Sequence, residues 1–257
     1  MSDPEIATVT RVVVALDVLR RDGDVLELAA ALAARRQLQL LALFVEDLDL
    51  WNLAGLPFAK EIGRLSGTER PLDSPRLQRA VRARAEHIRQ VLSGFNQRLR
   101  IEVEFKSVRG PFIPTVLGQL EQVDILFLSR KAAGRRLASL LGATPVQTPP
   151  VWVLYDGSPA AGRALALAAE LAGPDPTGLC VALAADSEAA GAQLRTRALE
   201  LCGTNPPPRL FPVPAADISL LLRRLRQIGC RVLVAAREHR AALQPIVEAA
   251  EYPVVLV

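Results

Sequence analysis

The chain has 257 residues, of which 50% are hydrophobic, 4% aromatic and 23% charged, a composition too apolar for a disordered or collagen-like chain and sufficient for one large or two small domains. No stretch reaches the roughly 18 unbroken apolar residues of a membrane helix, since the run around Ala29 to Ala34 stops at Arg35 and Arg36. The formal net charge of +4 arises in residues 1–148, with 21 basic and 17 acidic groups against 10 of each in 149–257; with no stacking aromatics along a basic stripe, this reads as a solvated surface and not as a nucleic-acid footprint.

Taken in chain order, Met1 to Thr10 carries Asp3, Pro4 and Glu5 in place of a basic start and an apolar core, so no signal peptide is read and a cytoplasmic location is expected. Short continuous apolar runs at Arg11 to Leu16, Leu38 to Val45, Ile101 to Val108 and Asp124 to Leu128 have the length of strands covered on both faces. Helical patterns lie between them: Val25 to Arg36, then Leu77, Val81, Ala85, Ile88, Leu92 and Phe95 at spacings of three and four, then Ile113, Val116, Leu117 and Leu120. The segment Leu50 to Phe58 is apolar for a connection and reads as a core cap, a lid or a docking patch. Arg76, Arg79, Arg82 and Arg89 fall opposite the apolar stripe of their helix and read as a solvated face. The second half gives strands at Val151 to Tyr155, Leu179 to Ala184, Arg209 to Val213, Arg231 to Ala235 and Pro253 to Val257. Its helices are expected at Gly162 to Ala172, Gln193 to Leu201 and Ile218 to Ile228. Strands alternating with helices predict an α/β fold with doubly wound parallel sheets.

The chain also repeats itself. At an offset of 139 residues, Val12, Val14 and Asp17 fall on Val151, Val153 and Asp156, and Leu26, Leu28, Ala29, Ala30, Leu32 and Ala33 fall on Leu165, Leu167, Ala168, Ala169, Leu171 and Ala172. Asp124 to Leu128 aligns with Arg231 to Ala235 at an offset of 107. Such matching predicts a tandem duplication, with domains at 1–148 (a long middle excursion at 46–100) and 149–257. The run Pro149 to Asp156 is too short to serve two sheets. Assigned to the second domain, it leaves the first with four strands and an edge to be covered by the last strand or by a second subunit.

Tyr155-Asp156-Gly157-Ser158-Pro159 with Ala164 to Ala168, Gly110-Pro111 followed by Val116-Leu117 and Val123 to Leu128, and the closing Tyr252 to Val257 together resemble the universal stress proteins in their tandem two-domain form. The resemblance implies two domains of Rossmann-like type. In ATP-binding members the loop after the fourth strand has the form G-x-x-G-x(9)-G-[ST], whose glycines let backbone N–H groups approach phosphates. The matching positions here are Ser129, Ala132, Gly142 and Ala143, so the motif is degenerate, and the second copy lacks the loop. The residues that the resemblance places at a nucleotide cleft are Asp17, Val45, Ser129, Arg130, Lys131 and Gly142 in the first copy, and Asp156, Gly157 and Ser158 in the second. The family's final strand pairs domains or subunits, which implies a homodimer through Val254 to Val257.

No enzyme motif emerges. The two histidines, His87 and His239, lie in no nucleophile or zinc pattern, and G-x-S-x-G, H-E-x-x-H and P-loop signatures are absent. Cys180, Cys202 and Cys230 share no C-x-x-C spacing and read as structural thiols. Two readings follow. One is a non-enzymatic regulatory protein working through protein contacts, with no cofactor, metal, nucleic acid or membrane insertion. The other is a sensor binding ATP, AMP or another anion in the cleft of the first domain.

Overall fold

The computed structural model describes residues 11–18, 23–62, 67–118, 124–128, 149–173, 178–203, 207–214, 217–239, 250 and 252–257. The chain divides into two compact units, Met1–Asp124 and Ile125–Val257, both of α/β architecture.

In the first unit, strands β1 (Arg11–Asp17), β2 (Gln39–Asp47) and β5 (Val103–Gly110) stand in the order β5-β2-β1 and are parallel. Helix α1 (Gly23–Arg36) buries Val25, Leu26, Ala29, Ala30, Leu32 and Ala33, the i, i+3, i+4 set that keeps one stripe on the sheet. After β2 come a short helix α2 (Leu48–Ala54), an antiparallel hairpin of β3 (Lys60–Ile62) and β4 (Glu69–Pro71), and the long helix α3 (Ser74–Leu99). Asp73 caps α3, its Oδ1 accepting from the backbone N–H of Arg76 at 2.8 Å, with Pro75 in the first turn where its missing donor costs nothing. The six positions read as its apolar stripe, Leu77 to Phe95, are its buried residues. The hairpin has no sequence forecast: two three-residue, largely exposed strands carry no periodic signal. Helix α4 (Phe112–Gly118) follows β5.

The second unit contains β6 (Asp124–Leu128, its Ile125–Leu128 inside the unit), β7 (Val151–Tyr155), α5 (Pro159–Ala172), β8 (Leu179–Ala184), α6 (Glu188–Cys202), β9 (Arg209–Val213), α7 (Ile218–Ile228), β10 (Val232–Ala235) and β11 (Val254–Leu256). Their order is β6-β11-β10-β7-β8-β9. Trp152 anchors the centre. It is fully buried on β7, donates its indole N–H to the carbonyl of Gly229 at 2.9 Å and stacks on Phe211 with ring centroids 5.0 Å apart, so its large apolar area is buried without an orphaned donor.

The repeat read from the sequence recurs in the hydrogen-bonding register. Val12 faces Leu40 in β1–β2 and Val151 faces Leu179 in β7–β8, both partners displaced by 139. Buried Val25, Leu26, Ala29 and Leu32 of α1 correspond at that offset to buried Ala164, Leu165, Ala168 and Leu171 of α5.

The doubly wound α/β sheet expected from the sequence is present and mostly parallel, with one antiparallel pair. The sheet of the second unit is not wholly parallel, because β11 runs parallel to β10 and antiparallel to β6. The last strand therefore covers the edge of β6, and both of its own edges are occupied: Val254, Val255 and Leu256 face Leu128, Phe127 and Leu126 on one side and Leu233, Val234 and Ala235 on the other. Val257 is also engaged, exchanging backbone bonds with Ala235 and Arg237. Strand Val254 to Val257 consequently offers no edge through which a second subunit can pair. The packing units divide at 124/125, inside β6, whereas the repeat read from the sequence places its junction at 148/149.

Ending the chain at Pro253 removes three fully buried aliphatic side chains, worth roughly 1.5–3 kcal/mol each, and exposes two strand edges. That approaches the whole stability of an ordinary domain. The truncated protein is expected to lose its cooperative urea transition and near-ultraviolet circular dichroism; retention of the wild-type transition would contradict the role assigned to β11.

Candidate functional site

In parallel α/β sheets ligands collect at the carboxyl ends of strands, and in the first unit those ends bring together Asp17 of β1, Val45, Glu46 and Asp47 of β2, and Ser107, Arg109 and Gly110 of β5. Asp17 and Val45 are register partners, as are Val45 and Val108, and Glu46 and Arg109. Asp17 is buried, the one charged or polar residue that is so among the described residues. Val45 is fully buried and presents no polar group of its own beyond the backbone.

Glu46 organises the end of β2. Its Oε1 accepts from the Ser107 hydroxyl at 3.2 Å, and its Oε2 accepts from Arg109 Nη2 at 2.8 Å and Nε at 3.2 Å. The Arg109 guanidinium lies 4.5 Å from the ring centroid of Trp51 on α2, within cation–π range. Asp47 closes the same corner by capping α2, accepting from the backbone N–H of Asp49 at 3.1 Å. These carboxylates hold α2 against the sheet: the charge of Glu46 is matched by Arg109, and Arg109 is covered by an aromatic face. Sequence reading missed this group. Glu46 and Arg109 are 63 residues apart, and only a correct β2–β5 register would reveal that they face each other.

In the second unit, Asp156, Gly157 and Ser158 form the turn between β7 and α5. Asp156 Oδ1 accepts from the backbone N–H of Ser158 at 2.9 Å, and Ser158 Oγ accepts from that of Ala161 at 3.1 Å, making Ser158 the cap of α5. Gly157 has φ +84°, and a Cβ placed on it would stand 2.6 Å from Leu194 Cδ2 of α6. A hydrophobic side chain is thus seated against the glycine, in the space that a side chain at this position would need. The turn acts as a helix start sealed by α6. Beneath it, burial raises the Tyr155 phenol, partly offset by the charge of Arg197 and reinforced by that of Asp156.

The strand directions also separate the end of β6 from the turn after β7. Because β11 is antiparallel to β6 and parallel to β10, which is parallel to β7, the carboxyl ends of β6 and β7 lie at opposite ends of that sheet. Ser129, Arg130, Lys131 and Gly142 themselves fall outside the described residues, as do Ala132, Arg135, Arg136 and Ala143.

His87 is exposed on α3 and His239 belongs to a single 3-10 turn, Arg237–His239. Among the described residues no group of three or more His, Cys, Asp and Glu is arranged to hold a metal ion, and no helix is long and apolar enough to cross a membrane. The thiols are protonated ones. Burial pushes Cys180 up to about 11 against the opposing charge and hydrogen bond of Arg209, raises Cys230 well above its ordinary value with Cys180 adding to the effect, and raises Cys202.

No family model and no curated protein matches the chain. Among solved structures it is similar to a universal stress protein from Archaeoglobus fulgidus DSM 4304, at 13% identity and a TM-score of 0.49, covering 95% of this chain and 97% of that one. It is also similar to a structure assigned to the same family from Pseudomonas aeruginosa UCBPP-PA14, at 14% identity and a TM-score of 0.46, covering 96% and 93%. The α/β assignment given above rests on the strands, helices and registers themselves.

Gly157→Ala forces a left-handed φ and a steric contact with Leu194 together. It is expected to destabilise the protein by about 2–3 kcal/mol in urea unfolding, with Leu194→Ala in the same chain relieving the steric part; an unchanged midpoint would show that α6 does not seal the turn. A second outcome concerns pH. Since the Cys180 thiol ionises near its ordinary value of 9 when unfolded and near 11 when folded, the unfolded state releases its proton first. Stability is full below pH 9 and falls by about 2–3 kcal/mol as pH rises toward 11. Cys180→Ala should reduce that alkaline slope, the remainder coming from the other groups raised by burial, Cys230, Cys202 and Tyr155.

Proposed function

We propose that this protein is a non-enzymatic regulatory protein of universal stress protein type, a diverged tandem duplication that acts through protein contacts and no longer depends on a nucleotide. The observation that carries this reading is the surface of the excursion between β2 and α3. Leu48, Leu53, Leu56, Phe58 and Ile62 are all exposed, Phe58 by 75% and Ile62 by 65%, and they supply five of the seven exposed large hydrophobic residues among those described. Exposed large apolar residues concentrated in one stretch of chain cost solubility, and where they join into a patch they mark interaction surfaces. Three contacts tie the segment down: Asp47 caps α2, Arg109 covers Trp51, and Lys60 pairs with Glu69 across the hairpin at 2.8 Å.

Three further features support the reading. The shared 139-residue register is what a duplicated domain retains when its sequences diverge. At the matching turn of the second copy, the polar atoms of Asp156 and Ser158 are spent on capping and Leu194 occupies the approach to Gly157. In the sequence, Ser129, Ala132 and Ala143 replace two glycines and a hydroxyl of the phosphate loop.

Isothermal titration of the full chain with ATP and AMP, after mass spectrometry has shown it free of co-purified ligand, is expected to give no saturable heat. Saturable micromolar binding would overturn the nucleotide-independent reading and favour the anion sensor. In parallel, Phe58→Ser with Ile62→Ser is expected to leave urea stability within about 0.5 kcal/mol of wild type, as surface changes do. A loss of more than about 2 kcal/mol would make the segment a core cap and remove the basis for a contact surface.

A further inference from the structure

β5 stands at one end of the strand order of the first unit and β9 at one end of that of the second, and among the described residues no strand pairs with the outer side of either. A row of backbone donors and acceptors left in that state is a template for another strand. In β9 the edge is blunted, since Pro212 removes a donor from a strand of five residues. β5 is eight residues long and contains no proline.

One hydrogen bond fixes which groups of β5 face outward. The N–H of Leu40 in β2 donates to the carbonyl of Glu102 at 2.9 Å. In a parallel ladder the N–H and C=O of one residue point to the same side, and successive residues alternate. Glu104, Lys106 and Val108 therefore bond toward β2, while Val103, Phe105, Ser107 and Arg109 direct their N–H and C=O groups outward. An antiparallel strand laid on this edge must match outward-facing residues with outward-facing residues.

For a second copy of β5 that condition leaves few registers, because an odd-numbered residue must face an odd-numbered one. Centred on Phe105, the pairing places Phe105 opposite itself, Val103 opposite Ser107, and Glu104 opposite Lys106, the last two pairs occurring twice by symmetry. Glu104 and Lys106 are both exposed. The neighbouring allowed registers, centred on Glu104 or Lys106, set Glu104 against Glu104 or Lys106 against Lys106, and like charges directly opposed are unfavourable. A two-fold interface has to be self-complementary, and the Phe105-centred register is.

We propose that two copies of this protein pair through β5 in an antiparallel, two-fold symmetric arrangement centred on Phe105, with Glu104 of each facing Lys106 of the other. Opposed residues share a face of the sheet, so the partner's Phe105 arrives beside the cavity of about 290 Å³ that Val103 and Phe105 form with Arg89, Leu92, Ser93 and Asn96 of α3. The apolar part of that cavity then gains a cover. This pairing uses a strand edge and stands apart from the reading of the 48–62 surface, so either can fail without the other.

Sedimentation equilibrium of the full chain is expected to show a dimer. Lys106→Glu, which sets two pairs of carboxylates face to face, should weaken the dissociation constant at least about tenfold, and the swap Glu104→Lys with Lys106→Glu should restore it, the restoration showing that the single variant had not merely misfolded. The register has its own readout. Glu104 and Lys106 of opposite copies form a non-hydrogen-bonded pair with Cα atoms about 4.5 Å apart, within disulfide range. Glu104→Cys and Lys106→Cys proteins should therefore cross-link when mixed under mild oxidation and not when either is oxidised alone. A monomer at every concentration up to the solubility limit would overturn the proposal. So would a dimer that neither responds to Lys106→Glu nor forms the mixed disulfide.

Discussion

Val254, Val255 and Leu256 bond to β10 on one side and to β6 on the other, and much of the second unit follows from that double pairing. β11 meets β6 head to tail and β10 side by side. The consequence is directional. β6 points against β7, β8, β9 and β10, so the usual convergence of strand carboxyl ends at one rim of the sheet holds for the latter four and not for β6. A single cleft drawing on the turn after β7 and on the end of β6 is geometrically unavailable within this unit, whatever residues stand at either place.

The same economy governs the turns. Backbone N–H groups at the start of a helix can serve a phosphate or be satisfied by a cap, and a given donor does one or the other. In the turn Asp156-Gly157-Ser158 the side chains satisfy two of them, those of Ser158 and Ala161, and Leu194 packs against Gly157, whose φ is +84°. The end of β2 shows the complementary case. Glu46 carries three donors and Arg109 an aromatic cover, so a cluster that looks reactive as a composition of Glu, Asp, Ser and Arg is a fastening for α2.

What was legible in the sequence is what periodicity encodes. The buried stripe of α3, the continuous apolar strands and the 139-residue offset all describe side chains meeting a sheet, and they survive in the coordinates residue by residue. Helix starts were read late, as with α6, because the cap Ser187 lies a turn ahead of the first periodic apolar residue and its Oγ does its work through a single backbone N–H, that of Ala190. Facts that depend on which strand lies beside which were not legible. The antiparallel meeting of β6 and β11, the Glu46–Arg109 pair and the outward parity of β5 are set by register between distant segments, and sequence spacing within a segment carries no trace of them. The exposed hairpin escaped for the opposite reason, having too little buried surface to impose a pattern.

The two units differ chiefly in one strand crossing. The second unit crosses from β8 to β9 with one helix, α6, and buries its apolar residues Leu194 and Ala198. The first unit, crossing from β2 to β5, has α2 and the β3–β4 hairpin before its crossing helix α3, and those additions hold Leu48, Leu53, Leu56, Phe58 and Ile62 in water. The fold does not require them, since the shorter crossing closes its sheet without them. Exposed apolar residues are unfavourable for solubility and add little to stability, so their concentration in this insertion, beside Asp47, Glu46 and Arg109 at the rim of the sheet, is the feature on which the proposed protein contact rests.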